Sequence, residues 1–155
     1  MIILYNFSKR NSTKLGKNLL SGYKEESNSP QIYLEKLQIL QQNPSEENLW
    51  QVVIAFQEYP FKTATGLPFS YRLKVGKTGG WNKELLVDRR EKSKSLAWSS
   101  VRMAFENSRK ISGEVKKPKA LGDIRGISYI YPMLWRFGLI KVPEEIEKKM
   151  QIEQI

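Results

Sequence analysis

Apolar side chains recur with a helical period in the first third of the chain. Tyr33, Leu37 and Leu40 fall at i, i+4 and i+7, a spacing that places them on one face of a helix. Pro30 stands where such a helix would begin, a position at which the missing N–H group of proline costs nothing. The pattern predicts a helix over about residues 30–42.

A second helical pattern predicts a helix over about residues 95–112. Ser93 or Ser95 would cap its N-terminus, and Gly113 would follow its last turn. The positions that share one face are Ala97, Val101, Ala104, Phe105, Ser108 and Ile111.

A third, aromatic helix is predicted over about residues 128–138, with Ser128 as its cap and Gly138 at its end. Its apolar stripe consists of Ile130, Leu134 and Phe137. Pro132 must then lie in the first turn, because proline breaks a helix interior. A short terminal helix is predicted within residues 142–155.

Strict alternation of apolar and polar residues marks Phe69–Val75 and, less cleanly, Glu84–Asp88. The glycine-rich polar segment Gly76–Lys83 joins them, so the pattern predicts a β-hairpin over about residues 69–88 with a long basic loop.

Two other segments are harder to interpret. The β-branched centre of Leu49–Tyr59 favours a buried strand, and a short helix remains an open alternative. Ile2–Phe7 could form a short edge strand, and residues 8–29 are predicted to be a loop.

Together these elements predict an α+β fold in which a small antiparallel sheet, built around the hairpin, is packed by the two later helices. We expect one domain over residues 1–155. It has a neutral N-terminal part at 1–58, a basic α+β core at 59–141 and a short C-terminal helix at 142–155.

Composition narrows the chemistry. The 155 residues include no Cys and no His, which excludes disulfides, cysteine nucleophiles, imidazole bases and most catalytic zinc sites. The N-terminal apolar residues precede the basic ones, unlike a secretory signal, and no apolar run approaches the roughly 20 residues of a membrane span. The expectation is a soluble protein of the cytoplasm with no membrane partner.

The positive charge is concentrated in the middle of the chain. Residues 61–141 carry eighteen Lys and Arg against six Asp and Glu, whereas residues 1–60 carry six of each. A block of one sign suggests binding to a polyanion. The predicted nucleic-acid contacts lie on the hairpin, at its junction with the next helix, on that helix and after it: Arg72, Lys74, Lys77, Trp81, Lys83, Arg89, Arg90, Lys92, Lys94, Arg102, Lys116, Lys117 and Lys119.

Two further kinds of site, a phosphate-binding P-loop and a Mg²⁺-dependent nuclease, are less well supported by the sequence than polyanion binding. Gly76-Lys77-Thr78 matches the end of a phosphate-binding P-loop, but the required upstream glycine is replaced by Tyr71. Glu84, Asp88 and Glu91 could hold Mg²⁺ in a nuclease. Their loose spacing among cations favours surface acids instead, so no catalytic residue, metal site or cofactor is predicted.

Two parts of the chain resemble hypothetical proteins from phages and integrative elements of Gram-positive bacteria. Between Tyr59 and Ile140 the resemblance rests on YPFKTATGLPFSYRLK, ELLVDRREKSKSLAWSSV, KALGDIRGISYIYP and RFGLI. The opening YNFSKRNSTK is similar to the start of small phage-encoded proteins. The resemblance implies a mobile genetic element acting inside a bacterial host cell, and it carries over no catalytic residue because that group has no assigned activity.

The sequence therefore predicts a non-enzymatic nucleic-acid-binding accessory protein that takes DNA in preference to RNA. One alternative is a protein-interaction module that docks on an acidic surface, such as an inhibitor of a host defence or nucleic-acid-processing complex. A Mg²⁺-dependent nuclease is the third possibility.

Overall fold

The computed structural model describes residues 30–89 and 92–152. Contacts divide the chain into two compact units, Met1–Phe56 with Glu153–Ile155, and Gln57–Ile152. Because two compact units can still unfold together, the single domain stays a prediction.

The described part of the first unit contains two helices, α1 at Pro30–Gln42 and α2 at Glu46–Ala55. The predicted helix over 30–42 is confirmed, and Tyr33, Leu37 and Leu40 are buried.

The strand favoured for Leu49–Tyr59 is wrong, because most of this segment forms α2. Leu49, Val52 and Val53 are all buried, and their i, i+3, i+4 spacing matches a helix face. The side chain of Ser45 accepts a hydrogen bond from the Asn48 N–H at 3.2 Å. This cap satisfies a backbone donor in the first turn, and the valines are buried on one face of the helix despite their β propensity.

The second unit contains a four-stranded antiparallel sheet with the strand order β1-β2-β3-β4. The strands are β1 at Phe61–Lys62, β2 at Pro68–Val75, β3 at Trp81–Asp88 and β4 at Ser93–Ala97. The α+β fold and the hairpin are confirmed. The hairpin loop is shorter than predicted, because β3 already begins at Trp81 and the N–H of Gly76 donates to Gly80 O at 2.7 Å.

Strand alternation separates the sheet into an inner, buried face and an outer face. The inner face carries Phe69, Tyr71, Leu73, Leu85, Val87 and Leu96, all of which are buried. Val75 continues the same apolar alternation, but it is 65% exposed. The register of the hairpin shifts between Leu73 and Val75. Because of this irregularity, Val75 is not one of the residues on the inner face.

Helices cover the inner face. They are α3 at Trp98–Ser108, α4 at Ile127–Arg136 and α5 at Glu144–Met150, with a 3₁₀ turn at Pro118–Leu121. α3 packs on β3 and β4, whereas α4 packs on α3 and β1.

α3 is shorter than the predicted 95–112 helix at both ends. Residues 93–97 pair with β3 as a strand, so neither Ser93 nor Ser95 is a helix cap. The helix stops at Ser108, and Gly113 is not its C′ residue.

α4 begins one residue before the predicted start, at Ile127. Its N-cap is Gly126, in the left-handed region with φ +81°, and not Ser128. Pro132 lies in the helix interior rather than in its first turn. The last helical residue is Arg136, and Gly138 terminates the helix as predicted. The Gly138 N–H donates to Trp135 O while the Leu139 N–H donates to Leu134 O, both at 3.0 Å; this pair of bonds is a Schellman motif.

Two further predictions concern the chain ends. α5 confirms the short terminal helix. The predicted strand Ile2–Phe7 and the loop after it lie outside the described residues. Within 30–89 and 92–152, none of the helices has the length and apolar character needed to cross a membrane.

Candidate anion-binding cleft and basic surface

The predicted strand-to-helix junction is a connection between two strands. Arg89 directly follows β3, and Lys92 directly precedes β4. The N-terminus of α3 adjoins Ala97, which pairs with Glu84 and so lies toward the other end of β3. The backbone N–H groups at the start of α3 therefore do not lie beside Arg89 and Lys92. Arg90 and Glu91 lie outside the described residues.

A cavity of about 530 Å³ opens beside this connection. We call it the cleft. Its lining is formed by Thr63, Ala64, Thr65, Leu67, Pro68, Arg89, Lys92, Pro118, Ser128 and Tyr129. Among these residues there are two cations, four hydroxyl groups and no carboxylate. The cleft is therefore suited to an anion that also has an apolar part.

Arg89 is held in the cleft by α4. Its Nη1 atom donates a hydrogen bond to Tyr129 Oη at 2.8 Å. The guanidinium carbon lies 6.0 Å from the Tyr129 ring centroid, at the outer limit of a cation–π contact, so the hydrogen bond is the orienting contact. The Tyr129 ring is itself fixed edge-on against Phe69, with centroids 5.1 Å apart. A guanidinium has five N–H donors in a planar fork, which suits it to an oxyanion.

The turn between β1 and β2 forms a second wall. The N–H of Leu67 donates to the Thr63 hydroxyl at 3.1 Å, and the Thr63 N–H donates to Leu67 O at 2.8 Å. Gly66 supplies the left-handed backbone that the turn needs, with φ +91°. The Thr63 and Thr65 hydroxyl oxygens are 3.1 Å apart, so this turn brings both hydroxyl groups to the cleft.

The third wall is the first turn of α4, which carries Ser128 and Tyr129. Gly126 lets this helix start close to the sheet, because a Cβ atom at this position would lie 2.4 Å from Leu96 Cδ1. The positive end of the helix dipole adds to the two cations of the cleft.

Pro118 brings the Lys116–Lys119 segment to the cleft. Val115 directly precedes this segment, and its carbonyl oxygen accepts a hydrogen bond from the Tyr131 hydroxyl at 2.5 Å. Because Tyr131 lies in α4, this bond connects the start of the segment to that helix. Burial raises the pKa of Tyr131 to about 12, and the charge of Glu114 acts in the same direction. The hydroxyl is therefore a neutral donor at physiological pH. Lys116, Lys117 and Lys119 are exposed.

The hairpin has two ends. The end next to Arg89 and Lys92 adjoins the cleft, and we call it the cleft end. We call the other end, which carries Lys77, Trp81 and Lys83, the tip end. The eight residues of β3 separate the two ends by about 24 Å. Trp81 is 48% exposed and pairs across the strands with Val75. Lys83 Nζ lies 5.7 Å from the Trp98 ring centroid.

Lys74, also near the tip end, is paired with an acid on the outer face. Its Nζ atom lies 3.1 Å from Glu84 Oε2, which also accepts a hydrogen bond from the Ser95 hydroxyl. The Ser95 hydrogen bond, and after it Lys74, hold the pKa of Glu84 below 4.5. Lys74 is thus partly neutralised.

The remaining predicted contacts are dispersed. Arg72 is exposed on the outer face opposite Leu86, Lys94 is half-buried opposite Val87, and Arg102 is exposed on α3. The cleft therefore brings Arg89, Lys92 and Pro118 together, and Lys116, Lys117 and Lys119 are neighbours of Pro118 along the chain.

The described residues do not support the two alternative sites, the P-loop and the Mg²⁺-dependent nuclease. Gly76-Lys77-Thr78 forms a hairpin turn between two strands, whereas a P-loop joins a strand to a helix. Glu84 and Asp88 lie four residues apart along β3, about 13 Å, and Glu91 is outside the described ranges. Within those ranges no three acids gather as a metal site.

Sequence reasoning missed four of the residues that line the cleft, Thr63, Thr65, Ser128 and Tyr129. The glycine in the TATGLP segment indicates a turn, but no local signal places that turn beside the start of α4. Comparisons with protein-family models, with curated proteins and with solved structures find no match.

Proposed function

We propose that this chain binds nucleic acid through its second unit, as a non-enzymatic accessory protein of a phage or mobile genetic element in the bacterial cytoplasm. DNA is the expected ligand in preference to RNA. The observation that supports this proposal is the location of the charge. Residues 57–152 carry twenty Lys and Arg against ten Asp and Glu, and the rest of the chain carries six of each.

The cleft end is the centre of the proposed interface. Arg89 and Lys92 line the cleft without a carboxylate among the lining residues, and the Lys116–Lys119 segment adds three exposed cations beside Pro118. Phosphate contacts of this kind give affinity without sequence preference.

Binding is tested by fluorescence anisotropy with labelled single-stranded and duplex DNA and the matching RNAs, between about 50 mM and 200 mM salt. We expect the logarithm of the affinity for duplex DNA to fall with the logarithm of salt concentration by about 0.9 per neutralised phosphate. Absence of binding to every one of these ligands at the lower salt concentration would contradict the proposal.

One observation favours a protein-interaction module as a second candidate. Val75 and Trp81 form an exposed cross-strand pair beside Lys77, and an apolar pair next to a cation suits an acidic protein surface. Capture from nuclease-treated bacterial lysate, with Trp81→Ala as the comparison, tests this candidate. A partner that the wild type retains and Trp81→Ala loses would support it, and equal capture by both would reject it.

A further inference from the structure

We infer that the cleft binds one nucleoside 5′-phosphate, with the phosphate on Arg89 and Lys92 and the nucleoside against the apolar wall. The inference deepens the proposed function and rests on it for the nucleic-acid source of the ligand. The same chemistry is offered by the 5′-phosphorylated end of a strand and by a free nucleotide.

The size and lining of the cleft indicate this class of ligand. Pockets for small organic molecules have volumes of about 300–1,000 Å³, and a cavity of about 530 Å³ exceeds what a single inorganic phosphate needs. The apolar part of the lining consists of Ala64, Leu67, Pro68, Pro118 and the ring of Tyr129. A ligand that matches both parts is anionic at one end and apolar at the other.

The charge of the cleft favours a terminal phosphate over an internal one. A phosphomonoester carries about −1.5 to −2 charges near neutral pH, whereas an internal phosphodiester carries one. The two cations among the described lining residues, Arg89 and Lys92, match the monoester better. Ser128 and Thr65 add hydroxyl donors for its oxygens.

Tyr129 is the positioning residue for Arg89. The 2.8 Å hydrogen bond from Arg89 Nη1 restricts the guanidinium so that its remaining donors can form a paired contact with two phosphate oxygens. Lys92 supplies a charge without that directionality.

The test uses the full chain and a short single-stranded DNA, labelled at its 3′ end, that carries either a 5′-phosphate or a 5′-hydroxyl. In parallel, calorimetry compares AMP, CMP, GMP and TMP with the matching nucleosides. We expect the 5′-phosphate to strengthen binding about tenfold, and at least one nucleotide to bind better than its nucleoside.

Variants locate the effect. Arg89→Ala removes the preference for the 5′-phosphate, and Lys92→Ala reduces it. Lys110→Ala, which removes the same charge from an exposed residue beyond the end of α3, leaves it unchanged. Tyr129→Phe lowers the preference about threefold while every charge is kept. Should Arg89→Ala fold poorly, Arg89→Lys retains the charge and loses the paired contact, with the same expected direction.

The outcomes separate the two proposals. If both DNAs bind equally and no nucleotide binds better than its nucleoside, the cleft assignment is wrong and the nucleic-acid function stands. If neither DNA binds but a nucleotide does, and Arg89→Ala loses it, the cleft is a site for free nucleotides, and the titrations with duplex DNA and RNA decide the nucleic-acid function separately. If neither DNA nor any nucleotide binds, the cleft assignment is rejected.

Discussion

At the cleft end of the sheet, Arg89 and Lys92 face a cavity of about 530 Å³, and the described residues that line it include no carboxylate. At the tip end, Lys74 is paired with Glu84, and Lys83 lies near the ring of Trp98. Both ends carry cations that the sequence treats alike. The Lys74–Glu84 pair at the tip end and the cavity beside Arg89 distinguish them, and a count of charge along the chain shows neither feature.

The largest expected difference between the two ends is in affinity. Arg89→Ala with Lys92→Ala should weaken DNA binding about 100-fold at about 50 mM salt, because two charge-assisted phosphate contacts are lost. Lys77→Ala with Lys83→Ala removes the same charge from the tip end and should cost about threefold. Anisotropy titrations of both variants measure this, and equal losses would mean that net charge alone governs binding.

A glycine-to-alanine substitution should also change the free energy of unfolding by different amounts at the two ends. Gly126 and Gly79 both have positive φ, +81° and +91°. A Cβ atom at Gly126 would lie 2.4 Å from Leu96 Cδ1, whereas at Gly79 nothing lies within 4 Å. Leu96 is buried and has little space to move.

We therefore expect Gly126→Ala to lower the free energy of unfolding by about 2–3 kcal/mol, from strain plus overpacking. Gly79→Ala should lower it by about 1 kcal/mol, from strain alone. Urea denaturation of the two variants measures both values, and a reversed order would show that the start of α4 is loosely packed.

A smaller effect follows from removing the acid near the tip end. Glu84→Gln deletes the charge that opposes Lys74 and should strengthen DNA binding about twofold to threefold, the range of an exposed ion pair. Glu106→Gln on α3 makes the same change in net charge and is the control. If both variants gain equally, the gain reflects net charge and not the release of Lys74.

The smallest effect is the dependence of stability on pH. Because the folded-state pKa of Glu84 is below 4.5, its carboxylate stabilises the fold above that value and ceases to do so as the pH falls through the lowered pKa. Thermal melts should show the wild type losing more stability than Glu84→Gln below pH 4.5. Parallel losses would mean that Ser95 and Lys74 contribute nothing to the folded carboxylate.

Local patterns predicted the elements that local interactions determine. The spacing of Tyr33, Leu37 and Leu40 predicted α1, and the alternation of Phe69–Val75 predicted β2, because in each case one face must be buried. β4 could not be predicted in this way. Ser93–Ala97 is compatible with the start of a helix, and it becomes a strand because it pairs with β3.

The cleft could not be predicted either, because it too depends on contacts between segments that are distant along the chain. It is lined by the Thr63–Leu67 turn, by Arg89 and Lys92, and by the start of α4, which are separated from one another by more than twenty residues along the chain. The cations Arg89 and Lys92 could be selected from the sequence. Their partner Tyr129 could not, because its side chain is an ordinary aromatic residue until the fold brings it beneath Arg89.

The outer edge of β2 is covered by the chain that precedes β1. The N–H of Glu58 donates to Tyr71 O at 2.8 Å, and Gln57 Oε1 accepts from the Leu73 N–H at 2.9 Å. An exposed strand edge is a template for pairing between molecules. With Tyr71 O and the Leu73 N–H occupied in this way, two backbone groups on this edge are unavailable to a strand of another molecule, which works against strand pairing and aggregation at this edge.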